Sequence, residues 1–277
     1  MAELTASPDM SDTSCDALLD GRLILRQPIK GHRAGSDAIL LAAAAPAEGV
    51  GSLIDVGAGV GAVGLALLQR LPGARAELVE RNAGLCALAA ENGARNGLAA
   101  RMHIACVDIT RAEARREAGL RDGLADLVVT NPPFFDSKDV RVSPDDGRAS
   151  AHVFASNSPS ALEDWIVASL ALLRSGGHFV MIHKPDALAK ILAAIGRRLG
   201  SLAILPIHPQ AEAAAHRFLL SGVKGARGPT SLRPGLVLHD GSGAFTRFAE
   251  ALHRGEALID WGARPVRRRV DRRGDAP

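Results

Sequence analysis

The chain has 277 residues, a formal net charge of +3 and 47% hydrophobic residues, but only 3% aromatic residues and no tyrosine. Such a length holds one large α/β domain or two small ones, and a core of Ala, Leu, Val and Ile suits helix-on-sheet packing better than an aromatic-rich β-sandwich. The cysteines Cys15, Cys86 and Cys106 are scattered without metal-ligand spacing, which argues against a disulfide framework or a zinc site and fits a reducing cytoplasm.

Residues 1–17 are rich in Ser, Asp and Thr and lack the basic start of a signal peptide, so they read as a disordered leader. Asp20-Gly21 between Leu18-Leu19 and Leu23-Ile24-Leu25 is a hairpin signal. Lys30, His32 and Arg33 follow, a basic cluster that suits solvated charge on an edge hairpin as well as a contact with nucleic acid. Gly35-Ser36-Asp37 leads into the helix formers Ala38 to Ala44, with Ser36 or Asp37 as the expected N-cap. The free N–H groups of that helix start also suit a carboxylate ligand. Pro46 interrupts this apolar run, and no stretch of about eighteen apolar residues is present to span a membrane.

The apolar strand Leu53 to Val56 breaks into Gly57-Ala58-Gly59-Val60-Gly61 and then a helix through Leu65, Leu67 and Leu68. Ala76 to Glu80 is the next strand, with an acid at its carboxyl end. A helix from Ala83 to Asn96 and a strand from Arg101 to Val107 ending at Asp108 continue the rhythm, followed by a weaker helix over 112–118 and the strand before Asn131. Repeated strand-helix units predict a parallel sheet with right-handed crossovers. Residues 136–160 show no periodicity and carry Arg141, Arg148 and His152. A helix from Glu163 to Leu173, a turn at Gly176-Gly177, a strand from His178 to Ile182 and a helix from Asp186 to Leu199 come next. Strands over 201–207 and 218–221, a short helix over 245–252 and an Arg-rich tail over 261–277 complete the chain. We expect one domain over residues 18–260, and no histidine pair shows metal spacing.

Asn131-Pro132-Pro133-Phe134 stands just past the carboxyl end of Leu127-Val128-Val129, where open α/β sheets place ligands. Asn131 offers a side-chain carbonyl acceptor, and Pro132 and Pro133 make a stiff turn that presents carbonyls only. Phe134 supplies a flat face for a planar base. Acceptors from Asn131 and Pro132 on one exocyclic NH2 would aim a weak amine nucleophile and stabilise the charge that develops on it.

Gly59-x-Gly61-x-x-Gly64 satisfies the dinucleotide fingerprint, a weak signal alone that keeps a nicotinamide-dependent dehydrogenase in view. Asp55 stands just before the turn, where a pyrophosphate would be repelled but the ammonium of S-adenosylmethionine would be tolerated. With Glu80 placed for ribose hydroxyls and Asp108 for an adenine amine, the acids at successive strand ends favour S-adenosylmethionine.

With these residues assembled, the chain resembles the class I S-adenosylmethionine-dependent methyltransferases of the small-domain group, and among them the bacterial tRNA adenine N(6)-methyltransferases that act beside the anticodon of a valine tRNA. The likeness covers about residues 18–260. It rests on Gly35-Ser36-Asp37-Ala38-Ile39-Leu40-Leu41, Asp55 to Gly61, Glu80, Asp108 and the Asn131 tetrapeptide. It implies a Rossmann-like, doubly wound α/β fold whose mostly parallel sheet of seven strands ends in an antiparallel edge hairpin.

By resemblance, Asp55, Gly57, Gly59 and Gly61 hold the methionine moiety, with Ser36 and Asp37 closing over it. Glu80 and Arg81 lie at the ribose, and Asp108 and Ile109 at the adenine. Asn131, Pro132 and Phe134 serve the transfer, and Asn131 also touches the cofactor. Phe134 stands where many relatives have tyrosine, which keeps the stacking and loses a hydroxyl.

Relatives with this tetrapeptide methylate adenine in DNA or tRNA, guanine in ribosomal RNA, or a glutamine side chain. The implied partner is structured RNA, foremost tRNA, touched by Arg33, Phe134, Arg148, His152, Lys184 and Arg217. The protein is expected to be cytoplasmic, a monomer or homodimer, with no metal. A non-catalytic RNA-binding module on the same fold is the reading from a different class.

Overall fold

The computed structural model describes residues 13–30, 33–133 and 160–262. Its main sheet has nine strands, of which the long ones run β5-β4-β3-β6-β7-β9-β8. These are β3 (Ser52–Val56), β4 (Arg75–Glu80), β5 (Met102–Cys106), β6 (Ala125–Thr130), β7 (Leu173–His183), β8 (Leu199–His208) and β9 (Arg217–Lys224). Neighbours from β5 to β7 pair parallel, while β9 pairs antiparallel with both β7 and β8. The antiparallel edge hairpin expected from the resemblance is therefore β8–β9. Two short strands, β10 (Ser231–Leu232) and β11 (Leu236–Val237), lie parallel on β8.

Alternation along the strands divides the core in two. Leu53, Leu127, Val129, Val180 and Ile182 face one cluster with α1 (Ser36–Ala44) and α2 (Ala62–Arg70). Ile54, Val56, Val128, Phe179 and Met181 face the other with α5 (Ala161–Leu172) and α6 (Leu188–Ile195). Period-two strands buried on both faces by helices are what the near-continuous apolar runs dictate. The remaining helices are α3 (Ala83–Arg95), α4 (Ala112–Glu117) and α7 (Arg247–His253). Among the described residues no helix is long and apolar enough to cross a membrane.

Residues 13–17, expected within a disordered leader, are paired in a strand. β1 (Thr13–Leu18) and β2 (Leu23–Pro28) form a separate antiparallel ribbon in which Thr13 faces Pro28. Asp16 holds this segment by accepting from Ser14 Oγ at 3.1 Å and Gln27 Nε2 at 2.8 Å. Two asparagines one turn apart, Asn92 in α3 and Asn96 at its C-cap, dock the ribbon. Asn92 Oδ1 accepts from Arg26 N at 2.7 Å and its Nδ2 donates to Arg26 O at 2.9 Å, while Asn96 does the same for Ile24 at 3.0 and 2.8 Å. Their amides thus satisfy the outer edge of β2 as a third strand would.

Other boundaries also moved. β7 starts at Leu173, directly out of α5, and Gly176-Gly177 lies inside it at an irregularity where the pairing jumps from Ala125/Leu173 to Leu127/His178. The helix expected over 186–199 is a 3-10 turn at Pro185–Ala187 followed by α6, which ends at Gly196 with φ +51°.

Candidate active site

The carboxyl ends of β3, β4, β5 and β6 meet at one edge of the sheet, and the expected ligand-binding residues follow them. After Val56 the chain turns through Gly57, Gly59 and Gly61 at φ +76°, +57° and +88°. Gly57 N and Ala58 N donate to Val79 O at 2.8 and 3.0 Å, folding the turn across β4. Gly57 and Glu80 thereby frame a cleft of about 530 Å³, within the range of small-molecule sites.

Of the residues expected in the site, Gly57, Gly59, Glu80, Arg81, Asp108, Ile109, Asn131 and Pro132 line this cleft. Glu80 accepts from Gly59 N at 3.0 Å and from Asn82 N at 2.9 Å, one oxygen each. Each carboxylate oxygen keeps a second lone pair for a ligand hydroxyl. Asp108 Oδ1 accepts from Thr110 N at 2.9 Å and Thr110 Oγ1 at 2.7 Å, which fixes the carboxylate at the strand end. Lys184, expected at a phosphate, also lines the cleft.

Ser36, Asp37, Asp55 and Gly61 do not line it. Asp55 is 1% exposed and accepts from Gly64 N at 2.8 Å, joining β3 to α2. Burial pushes its carboxyl up to about 7, against the Gly64 N–H and helped by the nearby charge of Glu80. Asp55, expected to face an ammonium, thus lies beneath the turn and bonds the start of α2. The N-cap position of α1 is Gly35, with no side-chain cap, which overturns the capping expected of Ser36 or Asp37. Asp37 instead pairs with Arg217 Nε at 2.9 Å. His253 Nδ1 donates to Ala249 O at 2.7 Å, and its Nε2 is hydrogen-bonded to the Ser36 hydroxyl at 2.9 Å.

Arg33 pairs with Asp16 at 2.7 Å. Phe134, Arg148 and His152 lie outside the described residues. Among the described residues no group of three or more His, Cys, Asp and Glu could hold a metal ion.

Trp165, Asn82 and Leu85 line the cleft without having been expected there. Asn82 had a signal, as an asparagine just before a helix, and its Oδ1 accepts from Leu85 N at 3.1 Å. Nothing in the sequence around Trp165 shows that it returns to the sheet.

The donor set fits S-adenosylmethionine. A carboxylate with spare lone pairs at the end of β4 suits a ribose, and an acid beside apolar Ile109 at the end of β5 suits an adenine. A Cβ on Gly59 would meet nothing within 4 Å, so that part of the turn is open to a ligand.

Comparisons with known proteins agree. Residues 33–145 match the family model described as "Methyltransferase small domain". The crystal structure of a predicted O-methyltransferase from Agrobacterium tumefaciens is 34% identical, with a TM-score of 0.67 over 80% of this chain and 98% of that one. The chain belongs to the class I S-adenosylmethionine-dependent methyltransferases with a small methyltransferase domain. S-adenosylmethionine is thus the methyl donor of this methyltransferase. A tRNA1(Val) (adenine(37)-N6)-methyltransferase of Porphyromonas gingivalis is 32% identical over 175 residues, 61% of this chain and 66% of that protein. A release factor glutamine methyltransferase of Chlorobaculum tepidum is 27% identical over 157 residues, 56% of this chain and 52% of that protein. The matches to these two curated relatives thus span 66% and 52% of their lengths.

Proposed function

We propose that this methyltransferase methylates an exocyclic base amine in structured RNA, foremost N6 of adenine in tRNA. The observation that carries the reading is Asn131-Pro132-Pro133 at the mouth of the cofactor cleft, directly after β6. S-adenosylmethionine supplies a methyl group on a positively charged sulfur. Asn131 Oδ1 and the Pro132 carbonyl accept the two N–H bonds of the amine, aim its lone pair into the cleft, and stabilise the positive charge it acquires. The surplus proton then leaves to water.

An amine acceptor needs no strong base, and the Asn131-Pro132 turn offers the two acceptors that an NH2 group requires. Hydroxyl methylation would ask for a base at the acceptor end, which favours the amine over the chemistry in the name of the Agrobacterium structure. The name of the P. gingivalis relative favours adenine. That of the C. tepidum relative keeps glutamine as the second reading, since a glutamine amide is also a planar, weakly nucleophilic amine.

In this proposal Glu80 and Arg81 hold the ribose, Asp108 and Ile109 the adenine ring, and Gly57 and Gly59 the methionine portion. Lys184 lies at an RNA phosphate. Arg33 and Arg217 reach phosphates by sharing or releasing Asp16 and Asp37. Phe134 stacks on the target base, and Arg148 and His152 add contacts to the RNA. We take residues 18–260 as the catalytic domain.

The test is transfer of labelled methyl groups to tRNA from a strain lacking this gene, comparing wild type with Asn131→Ala. The expected outcome is N6-methyladenosine with the wild type and at least a hundredfold slower turnover in the variant, with S-adenosylmethionine bound nearly as well. Unchanged turnover in Asn131→Ala would remove the proposed role.

A further inference from the structure

Trp165 bridges the two strand ends on which the cleft is built. It lies in the second turn of α5, and its Nε1–H donates to Thr130 Oγ1 at 2.9 Å. The Thr130 hydroxyl in turn donates to Val56 O at 2.8 Å. Val56 and Thr130 are register partners and the last residues of β3 and β6. The six-membered ring beside that N–H packs on the glycine turn: a Cβ on Gly57 would stand 2.8 Å from Trp165 Cζ2 and 3.0 Å from Cη2. The same side chain lines the cleft beside Asn131 and Pro132.

We propose that Trp165 contacts bound S-adenosylmethionine and, through its hydrogen bond to Thr130, acts as the positioning residue that sets the Asn131-Pro132 turn against the Gly57 turn. The backbone cannot do this alone. The β3–β6 ladder ends at Val56 and Thr130, and beyond it Pro132 and Pro133 have no N–H with which to anchor their turn. A side chain with an apolar face for the glycine turn and a single directed donor for Thr130 supplies the missing connection. The chain Trp165 N–H to Thr130 O–H to Val56 C=O is buried at its centre, where Thr130 is 0% exposed, and such linked bonds reinforce one another. The cofactor half of this inference rests on family membership, and the acceptor half on the proposed amine methylation.

Thr130 has no exposed surface with which to touch a ligand, and this makes the test specific. Any effect of Thr130→Val on cofactor affinity has to travel through its neighbours. Calorimetric Kd values for S-adenosylmethionine should rise about tenfold in Thr130→Val and about tenfold in Trp165→Phe, the loss of one well-placed bond. In the double variant, Thr130→Val should add almost nothing to Trp165→Phe, and Thr130→Ser, which keeps the hydroxyl, should bind as wild type. Multiplicative losses would overturn the coupling.

The chain has two tryptophans, and Trp261 donates instead to Ala44 O at 2.7 Å. In a Trp261→Phe protein, saturating S-adenosylmethionine should therefore change the emission of Trp165. An unchanged spectrum at saturation would overturn the contact. Should Thr130→Val fail to fold, Thr130→Cys, which replaces the hydroxyl with a weaker acceptor, takes its place in the same cycle with Trp165→Phe. These readouts use the cofactor alone. Absence of tRNA methylation by the wild type would count against the proposed function without altering them.

Discussion

Alanine at Gly57 and at Gly59 separates the two demands on the glycine turn. Gly57 sits at φ +76°, and an added Cβ would meet the Trp165 ring at 2.8 Å. Left-handed backbone costs an L-residue about 1–2 kcal/mol and forced overpacking about 1–3 kcal/mol, so Gly57→Ala should lose about 2–5 kcal/mol of stability. At about 2–4 °C per kcal/mol for a chain of this size, Tm falls by roughly 4–20 °C. Gly59 sits at φ +57° with nothing within 4 Å of its Cβ, so only the backbone cost of about 1–2 kcal/mol applies. Its methyl group takes space in the cleft instead, and S-adenosylmethionine affinity should fall about tenfold or more. Thermal melting without ligand and calorimetry with it separate the two effects. Equal melting losses in the two variants, or wild-type affinity in Gly59→Ala, would refute the placement of the cofactor against this turn.

Asp55, raised to about 7 by burial, should make stability pH-dependent. Its folded pKa lies above the unfolded value, so its contribution is intact below about pH 4 and is lost as pH rises to about 7, with a ceiling of about 4 kcal/mol. Asp55→Asn keeps an oxygen for Gly64 N–H, so melting curves of variant and wild type should diverge across that window, the variant being the more stable at pH 8. Parallel curves would contradict a buried, raised carboxyl. Asn92→Ala removes bonds to Arg26 N, Arg26 O and Val60 O from a side chain that is 0% exposed and should cost about 2–4 kcal/mol by denaturant unfolding. A loss within a few tenths would show that the β1–β2 ribbon docks by other means. Deleting residues 263–277 should weaken tRNA binding and flatten its salt dependence, and an unaltered salt slope would detach that Arg-rich stretch from RNA.

Much of the site was legible because parallel strands put their carboxyl ends at one edge. Glu80, Asp108 and Asn131 each end an apolar run, and the fold brings all three to one cleft. Strand alternation could also have placed Asp55, which shares the face of Leu53 and points toward α2 rather than into the cleft. The partners of Ser36 and Asp37 were out of reach, since His253 and Arg217 come from 217 and 180 residues away and displace the local capping that residue types suggest. Trp165 was hidden for a similar reason: its identity reports an apolar body with a polar tip, and only the approach of α5 to β3 and β6 gives the tip its partner. The start of β1 was missed because Ser14 and Asp16 look like leader residues until Gln27 and Arg33 donate to Asp16, which also accepts from Ser14.

The central claim is methyl transfer to a base amine in tRNA. The most direct measurement offers labelled S-adenosylmethionine and this protein to total RNA, total DNA and total protein from a strain lacking the gene, then analyses the labelled nucleosides. The account predicts label in the tRNA fraction, on the exocyclic amine of adenosine. Label confined to protein or DNA, or no label in any fraction by a protein that binds the cofactor, would contradict it.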